Sequence, residues 1–124
     1  MKDFRDLLVW QKAHKLTLAS YRATDTFPRR EMFGLTSQIR RCSESIGANI
    51  AEGCGKRGNG EFFRFLNIAA GSASELEYHF LVARDLGFLG VPDYDKLNHD
   101  VIEVKRMLAA LIHKVQDERV MAEC

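Results

Sequence analysis

The chain has 124 residues, 46% of them hydrophobic and 28% charged, with a formal net charge of +1. That length fits a single domain spanning residues 1–124, and a chain of this size buries roughly two-thirds of the surface its unfolded form exposes. Nine glycines and two prolines exclude collagen-like and low-complexity classes, and no apolar run approaches the ~20 residues of a membrane-spanning helix.

Pro28, Pro92 and the glycine-rich stretch 53–60 divide the chain into four segments, and none of the four alternates with the period of a strand. In the first, from about Asp6 to Asp25, Val9, Ala13, Leu16, Ser20, Ala23 and Phe27 recur at helical spacing, with Asp6 placed to cap the start and Pro28 to stop the helix. Trp10, Leu18 and Tyr21 add a second apolar strip.

The second segment runs from about Arg30 to Gly53, with Leu35, Ile39, Cys42, Ile46 and Ile50 on one stripe. Gln38, Arg41, Ser45 and Glu52 lie on another side, and Gly53 and Gly55 mark a C-terminal stop. The third runs from about Asn59 to Leu86, with Phe62, Leu66, Ala69, Ala73, Leu76, Phe80 and Ala83 as its stripe, Asn59 as N-cap and Gly87 as terminator. Its small residues Gly71, Ser72 and Ala73 suit close approach of the second helix. The fourth runs from about Asp93, an N-cap, to Val120, with Leu97, Val101, Val104, Leu108, Leu111 and Val115 facing inward and Met121–Cys124 fraying.

Four such helices joined by short connections predict an all-α fold, an antiparallel up-down-up-down four-helix bundle. Trp10, Leu18, Tyr21, Phe63, Phe65 and Phe88 exceed what one small bundle buries, which points to assembly through its sides. The charged start, Met1–Asp6, lacks the apolar stretch of a signal peptide, so a cytoplasmic location is expected and no membrane partner.

The residues carry no catalytic constellation, so an enzyme is not expected. Gly53-Cys54-Gly55-Lys56-Arg57-Gly58 matches GxGxxG, but a helix precedes it where the dinucleotide fingerprint needs a strand. Glu75 and His79 stand one helical turn apart and supply half a metal site at most, without the Glu-x-x-His pairs of di-iron bundles; hydrogen bonding is the better reading, and neither metal nor cofactor is expected. Three cysteines without a CxxC pair form no disulfide framework. Cys42 reads as a small buried hydrophobe, and Cys54 as a turn residue beside Lys56 and Arg57, where a thiol pKa can fall. Arg41 is placed to pair with Glu75 or Glu77 on the third helix.

Charge is unevenly distributed. Residues 1–60 hold 11 basic and 6 acidic side chains, and residues 61–124 hold 7 and 11, giving +5 and −4. Opposite halves attract one another within a domain or between neighbouring copies, and the first half can also offer a basic surface to phosphate. The candidate phosphate contacts are Lys12, Lys15, Arg22, Arg29, Arg30, Arg40, Arg41, Lys56 and Arg57.

Five blocks carry a family resemblance: Leu8-Val9-Trp10-Gln11-Lys12-Ala13, the run from Phe27 to Arg41, Asn49-Ile50-Ala51-Glu52-Gly53, Phe62-x-Arg64-Phe65-Leu66, and Ala70-Gly71-Ser72-Ala73-Ser74-Glu75-Leu76-Glu77. In this order the chain resembles the bundle proteins encoded by 23S rRNA intervening sequences, often labelled ribosomal-protein-like. The resemblance implies a four-helix bundle assembled as a ring-like homopentamer, without a defined biochemical role. It also implies likeness in fold to the pentameric accessory variability protein of diversity-generating retroelements, which binds nucleic acid and a reverse transcriptase. The expectation is a non-enzymatic oligomer associated with RNA, or with DNA. The alternative is a scaffold or accessory subunit for a protein partner such as a reverse transcriptase.

Overall fold

The computed structural model describes residues 3–123. Four helices follow one another: α1, Leu8–Thr24; α2, Leu35–Gly55; α3, Gly58–Asp85; and α4, Val91–Glu123. No strand occurs among the described residues, and none of their helices is long and apolar enough to cross a membrane. Each helix packs on its neighbours in sequence, and α1 also packs on α4, which closes an all-α four-helix bundle.

The stripes form one continuous core. Val9, Ala13, Leu16, Ile39, Cys42, Ile46, Ile50, Leu97, Val101, Val104, Leu108 and Val115 are buried, as are all seven stripe residues of α3. Ala23, Leu35 and Leu111 are only half-buried. Thr24 takes the inward place expected for Ala23, because an i+4 step from Ser20 is as compatible with the face as i+3. Its hydroxyl donates to the Ser20 carbonyl at 2.9 Å, so burial leaves no orphaned polar atom.

The boundaries differ from the sequence expectations in several places. Asp6 does not cap α1. It lies in a 3-10 turn, Phe4–Asp6, capped by Asp3, and Leu7 begins α1 without a side-chain cap. α2 starts at Leu35 and not at Arg30, because the residues after Pro28 form a separate 3-10 turn, Arg29–Glu31. Glu31 then caps α2: its Oε1 accepts the Leu35 amide at 3.1 Å.

The glycine-rich stretch is mostly helical. Gly53, Cys54 and Gly55 end α2, Gly58, Asn59 and Gly60 begin α3, and Lys56-Arg57 alone forms the connection. Gly53 serves packing: a Cβ there would lie 3.0 Å from Phe65 Cβ and 3.1 Å from Phe62 Cδ1. Asn59 and Asp93 both fall inside their helices and cap neither. Asn59 Nδ2 donates instead to Glu118 on α4 at 3.1 Å. α3 ends as expected at Gly87, which adopts φ +81°. The Phe88 amide donates to the Ala83 carbonyl at 2.8 Å and that of Gly87 to Arg84 at 3.0 Å, the paired bonds of a Schellman motif.

Candidate functional site

The nine basic residues proposed from sequence separate into three groups. Lys12, Lys15 and Arg22 lie along α1 where it meets α4. Lys12 Nζ pairs with Glu103 Oε1 at 3.1 Å, and Lys15 shares a small cleft with Lys12, Asp100 and Glu103. Arg22 lines a cleft with Asp93 and Lys96. Of the three, Lys12 is ion-paired, while Lys15 and Arg22 are exposed beside acidic side chains of α4 and in no ion pair among the described residues.

Arg40 and Arg41 are held by their own bundle. Arg40 Nε donates to Thr24 Oγ1 at 2.9 Å, its Nη2 reaches Asp25 Oδ1 at 3.0 Å, and its guanidinium lies 4.9 Å from the Tyr21 ring centre. Arg41 Nη2 donates to Gln38 Oε1 at 2.7 Å. The expected pairing of Arg41 with Glu75 or Glu77 is not made, because both acids are engaged elsewhere. Glu77 binds Lys105 of α4 at 2.7 Å, and Glu75 binds Cys42 and His79.

Arg29, Arg30, Lys56 and Arg57 form the third group. All four are exposed, and none is in an ion pair among the described residues. Arg30 and Lys56 rest over the Phe88 and Phe65 rings, each 5.8 Å from the ring centre. The two pairs sit at opposite ends of α2, whose 21 residues span about 30 Å. Beside Arg29 and Arg30, the ring of Phe33 is 96% exposed.

The surplus aromatic residues line two clefts on opposite flanks. The first, of about 500 Å³, lies between α1 and α2 and is walled by Phe4, Trp10, His14, Leu18 and Tyr21. Trp10 stacks on His14 at 5.0 Å and meets the Phe4 edge at 4.8 Å. Burial and then the Glu44 carboxylate hold the Tyr21 hydroxyl above its ordinary pKa. The second, of about 510 Å³, lies between α3 and α4 and is walled by Phe63, Ala70, Ala109, Ile112 and His113. Phe65, by contrast, is buried.

A polar seam runs between α2 and α3. Ser45 Oγ and Ser72 Oγ are 2.8 Å apart. One turn earlier on α2, the Cys42 thiol donates to Glu75 Oε2 at 2.9 Å, and the same oxygen is 3.1 Å from His79 Nε2. The hydrogen bond expected between Glu75 and His79 is present. Cys42, read from sequence as a plain hydrophobe, is buried yet bonded to a carboxylate. Burial first, then Glu75, pushes its thiol up to about 12. The bonds from Cys42 and His79 hold the Glu75 carboxyl below its ordinary value. Cys54 is buried in the last turn of α2 and not in a loop. The signal that would have found the cluster was present: Glu75 and His79 share a face, and Cys42 lies on the α2 stripe turned toward α3.

The bundle has known counterparts. Residues 5–110 match the family described as 23S rRNA-intervening sequence protein. A crystal structure of a protein of unknown function from the S23 ribosomal protein family of Bacteroides thetaiotaomicron superposes with a TM-score of 0.79 at 26% identity. The likeness covers 86% of this chain and 96% of that one. Among proteins of curated function, none matches. A match across most of the chain, over a bundle of the same architecture, settles its kinship: the chain belongs to the 23S rRNA-intervening sequence protein family.

Proposed function

We propose that the protein is a cytoplasmic, non-enzymatic homo-oligomer, a pentamer, that associates with RNA through phosphate contacts at the ends of its bundles. The observation that carries this reading is the third group of cations. Arg29 and Arg30 at one end, and Lys56 and Arg57 at the other, are exposed and in no ion pair among the described residues, with Arg30 and Lys56 resting only on ring faces. Phosphate binding needs positive charge and little fixed geometry, and such side chains supply it. The family description directs the choice of ligand toward RNA related to intervening sequences.

Two features support assembly. The α1–α2 and α3–α4 clefts occupy opposite flanks and are lined by different residues, so a contact between them is head-to-tail, the kind that closes into rings. The sequence halves that build the flanks carry +5 and −4, which favours the same pairing. Crosslinking in cells followed by sequencing of bound RNA tests the reading. Recovery of RNA that falls when Lys56 and Arg57 are replaced by Ala supports it, and recovery no greater than background overturns it.

A second reading is favoured by the exposed apolar residues at the Arg29–Arg30 end. Met32, Phe33, Leu86 and Val91 all stand in solvent there. Such a rim suits a protein partner, for instance a reverse transcriptase to which this chain is an accessory subunit, with the nucleic acid held by the partner. Loss of a co-purifying enzyme on Phe33→Ser, with RNA recovery unchanged in the isolated protein, would favour this second reading.

A further inference from the structure

We propose that Cys42, Glu75 and His79 form a binding site for a single divalent transition-metal ion of the zinc class at the seam between α2 and α3. The inference is independent of RNA binding and of assembly. The three ligand atoms, a thiol sulfur, a carboxylate oxygen and an imidazole nitrogen, lie within 4.8 Å of one another. Two of them stand one turn apart on α3, and the third faces them from α2, so the backbone of two packed helices fixes their convergence.

Tetrahedral coordination with metal–sulfur and metal–nitrogen lengths near 2.3 and 2.0 Å places ligand atoms about 3.3–3.6 Å apart. The observed contacts, 2.9 Å from Cys42 to Glu75 and 3.1 Å from Glu75 to His79, lie a little inside that spacing, and Cys42 and His79 are no more than 4.8 Å apart. The present hydrogen bonds therefore occupy the place the ion would take, with the Cys42 proton where the metal would sit.

Ligand chemistry selects the ion. A thiolate and an imidazole disfavour magnesium and calcium, which take oxygen ligands, and favour zinc, cobalt or nickel. On binding, the Cys42 S–H bond breaks, its proton leaves to solvent, and a sulfur–metal bond forms. No electron is transferred. The thiolate and the Glu75 carboxylate then neutralise the dication, with His79 as neutral donor. The Glu75 carboxylate beside the thiol attracts the dication that replaces the thiol proton. Access is open, since the Glu75 side chain is 53% exposed and that of His79 17%. Three protein ligands leave the fourth position to water. The Arg41 guanidinium is the positive charge near this group, and its bond to Gln38 anchors it beside the site and not in it.

The test is titration of the full chain, purified free of metal, with cobalt(II). The expected result is a thiolate-to-cobalt charge-transfer band with the visible bands of a tetrahedral ion, both abolished by one equivalent of zinc(II) per chain. The band should persist in Cys54→Ser and Cys124→Ser and vanish in Cys42→Ala. His79→Gln, a substitution outside the core, should weaken cobalt affinity at least tenfold while leaving the circular-dichroism spectrum unchanged. Zinc should raise the melting temperature of the unsubstituted protein and of Cys54→Ser, and not that of His79→Gln. Absence of the band, a band that survives in Cys42→Ala, or an affinity unaffected by His79→Gln would each overturn the proposal.

Discussion

The Arg40 guanidinium reaches from α2 to the Asp25 carboxylate, 3.0 Å away, at the residue where α1 ends. Asp25 is 74% exposed, so this ion pair alone adds little. More comes from the bond to the buried Thr24 hydroxyl and from the face of Tyr21. Arg40→Ala should therefore cost about 1–2 kcal/mol in urea melts, and Arg40→Lys should recover only a part, since an ammonium cannot reproduce the planar contact. RNA affinity per folded molecule should be unchanged. A stable Arg40→Ala protein with weakened RNA binding would return Arg40 to the phosphate-contacting set.

The loop cations predict the reverse pattern. Replacing Lys56 and Arg57 with Ala should leave the melting curve within about 0.5 kcal/mol, as for exposed substitutions in general. The slope of log affinity against log salt should flatten by roughly one unit per lost contact. Removing Arg29 and Arg30 as well should abolish binding at moderate salt. An unchanged slope after all four substitutions would leave the protein-partner reading in possession.

Assembly through the flanks predicts a mass several times 14.1 kDa by light scattering. Leu18 is 44% exposed beside the first cleft, and Ala109 is exposed in the wall of the second. Leu18→Glu and Ala109→Glu should each yield a folded monomer. Mixed together, they should form a dimer, because each keeps the face the other lacks. Self-association that survives both substitutions would place the interface elsewhere.

Two neighbouring small residues on α3 should respond in opposite directions. Ala73 is fully buried, so Ala73→Leu overpacks the core and should cost about 1–3 kcal/mol. Gly71, expected from sequence to share that role, faces open space: a Cβ there meets nothing within 4 Å. Gly71→Ala should stabilise the helix by about 0.5–1 kcal/mol. Denaturant melts of the two variants check both signs.

Glycine was the residue type that sequence read least well. Its local signal is a turn, yet Gly53 lies inside α2 because Phe62 and Phe65 of α3 press on it, a contact no local pattern encodes. The helical stripes were legible because each repeats over several turns, and that of α3 is buried at every position. Helix starts were less so: Pro28 could equally open α2 or a separate 3-10 turn, and the outcome depended on Glu31 capping the Leu35 amide. Of the candidate cations, sequence supplied all nine, but only tertiary pairing separates Arg40 from Arg30. The thiol of Cys42 looked apolar because its partner lies 33 residues away on another helix.

The two-residue link between α2 and α3 bears on the order in which the chain acquires its structure. Closing that short loop costs little entropy, whereas the seam between α1 and α4 joins opposite ends of the sequence. The α2–α3 hairpin should consequently act as the nucleus, with φ-values highest around Ile46 and Ala69, and lowest around Lys12 and Glu103. Amide exchange should follow the same gradient, slowest in the centre of α2 and α3. Ligands that bridge α2 to α3 would then speed folding, while those that clasp α1 to α4 would slow unfolding.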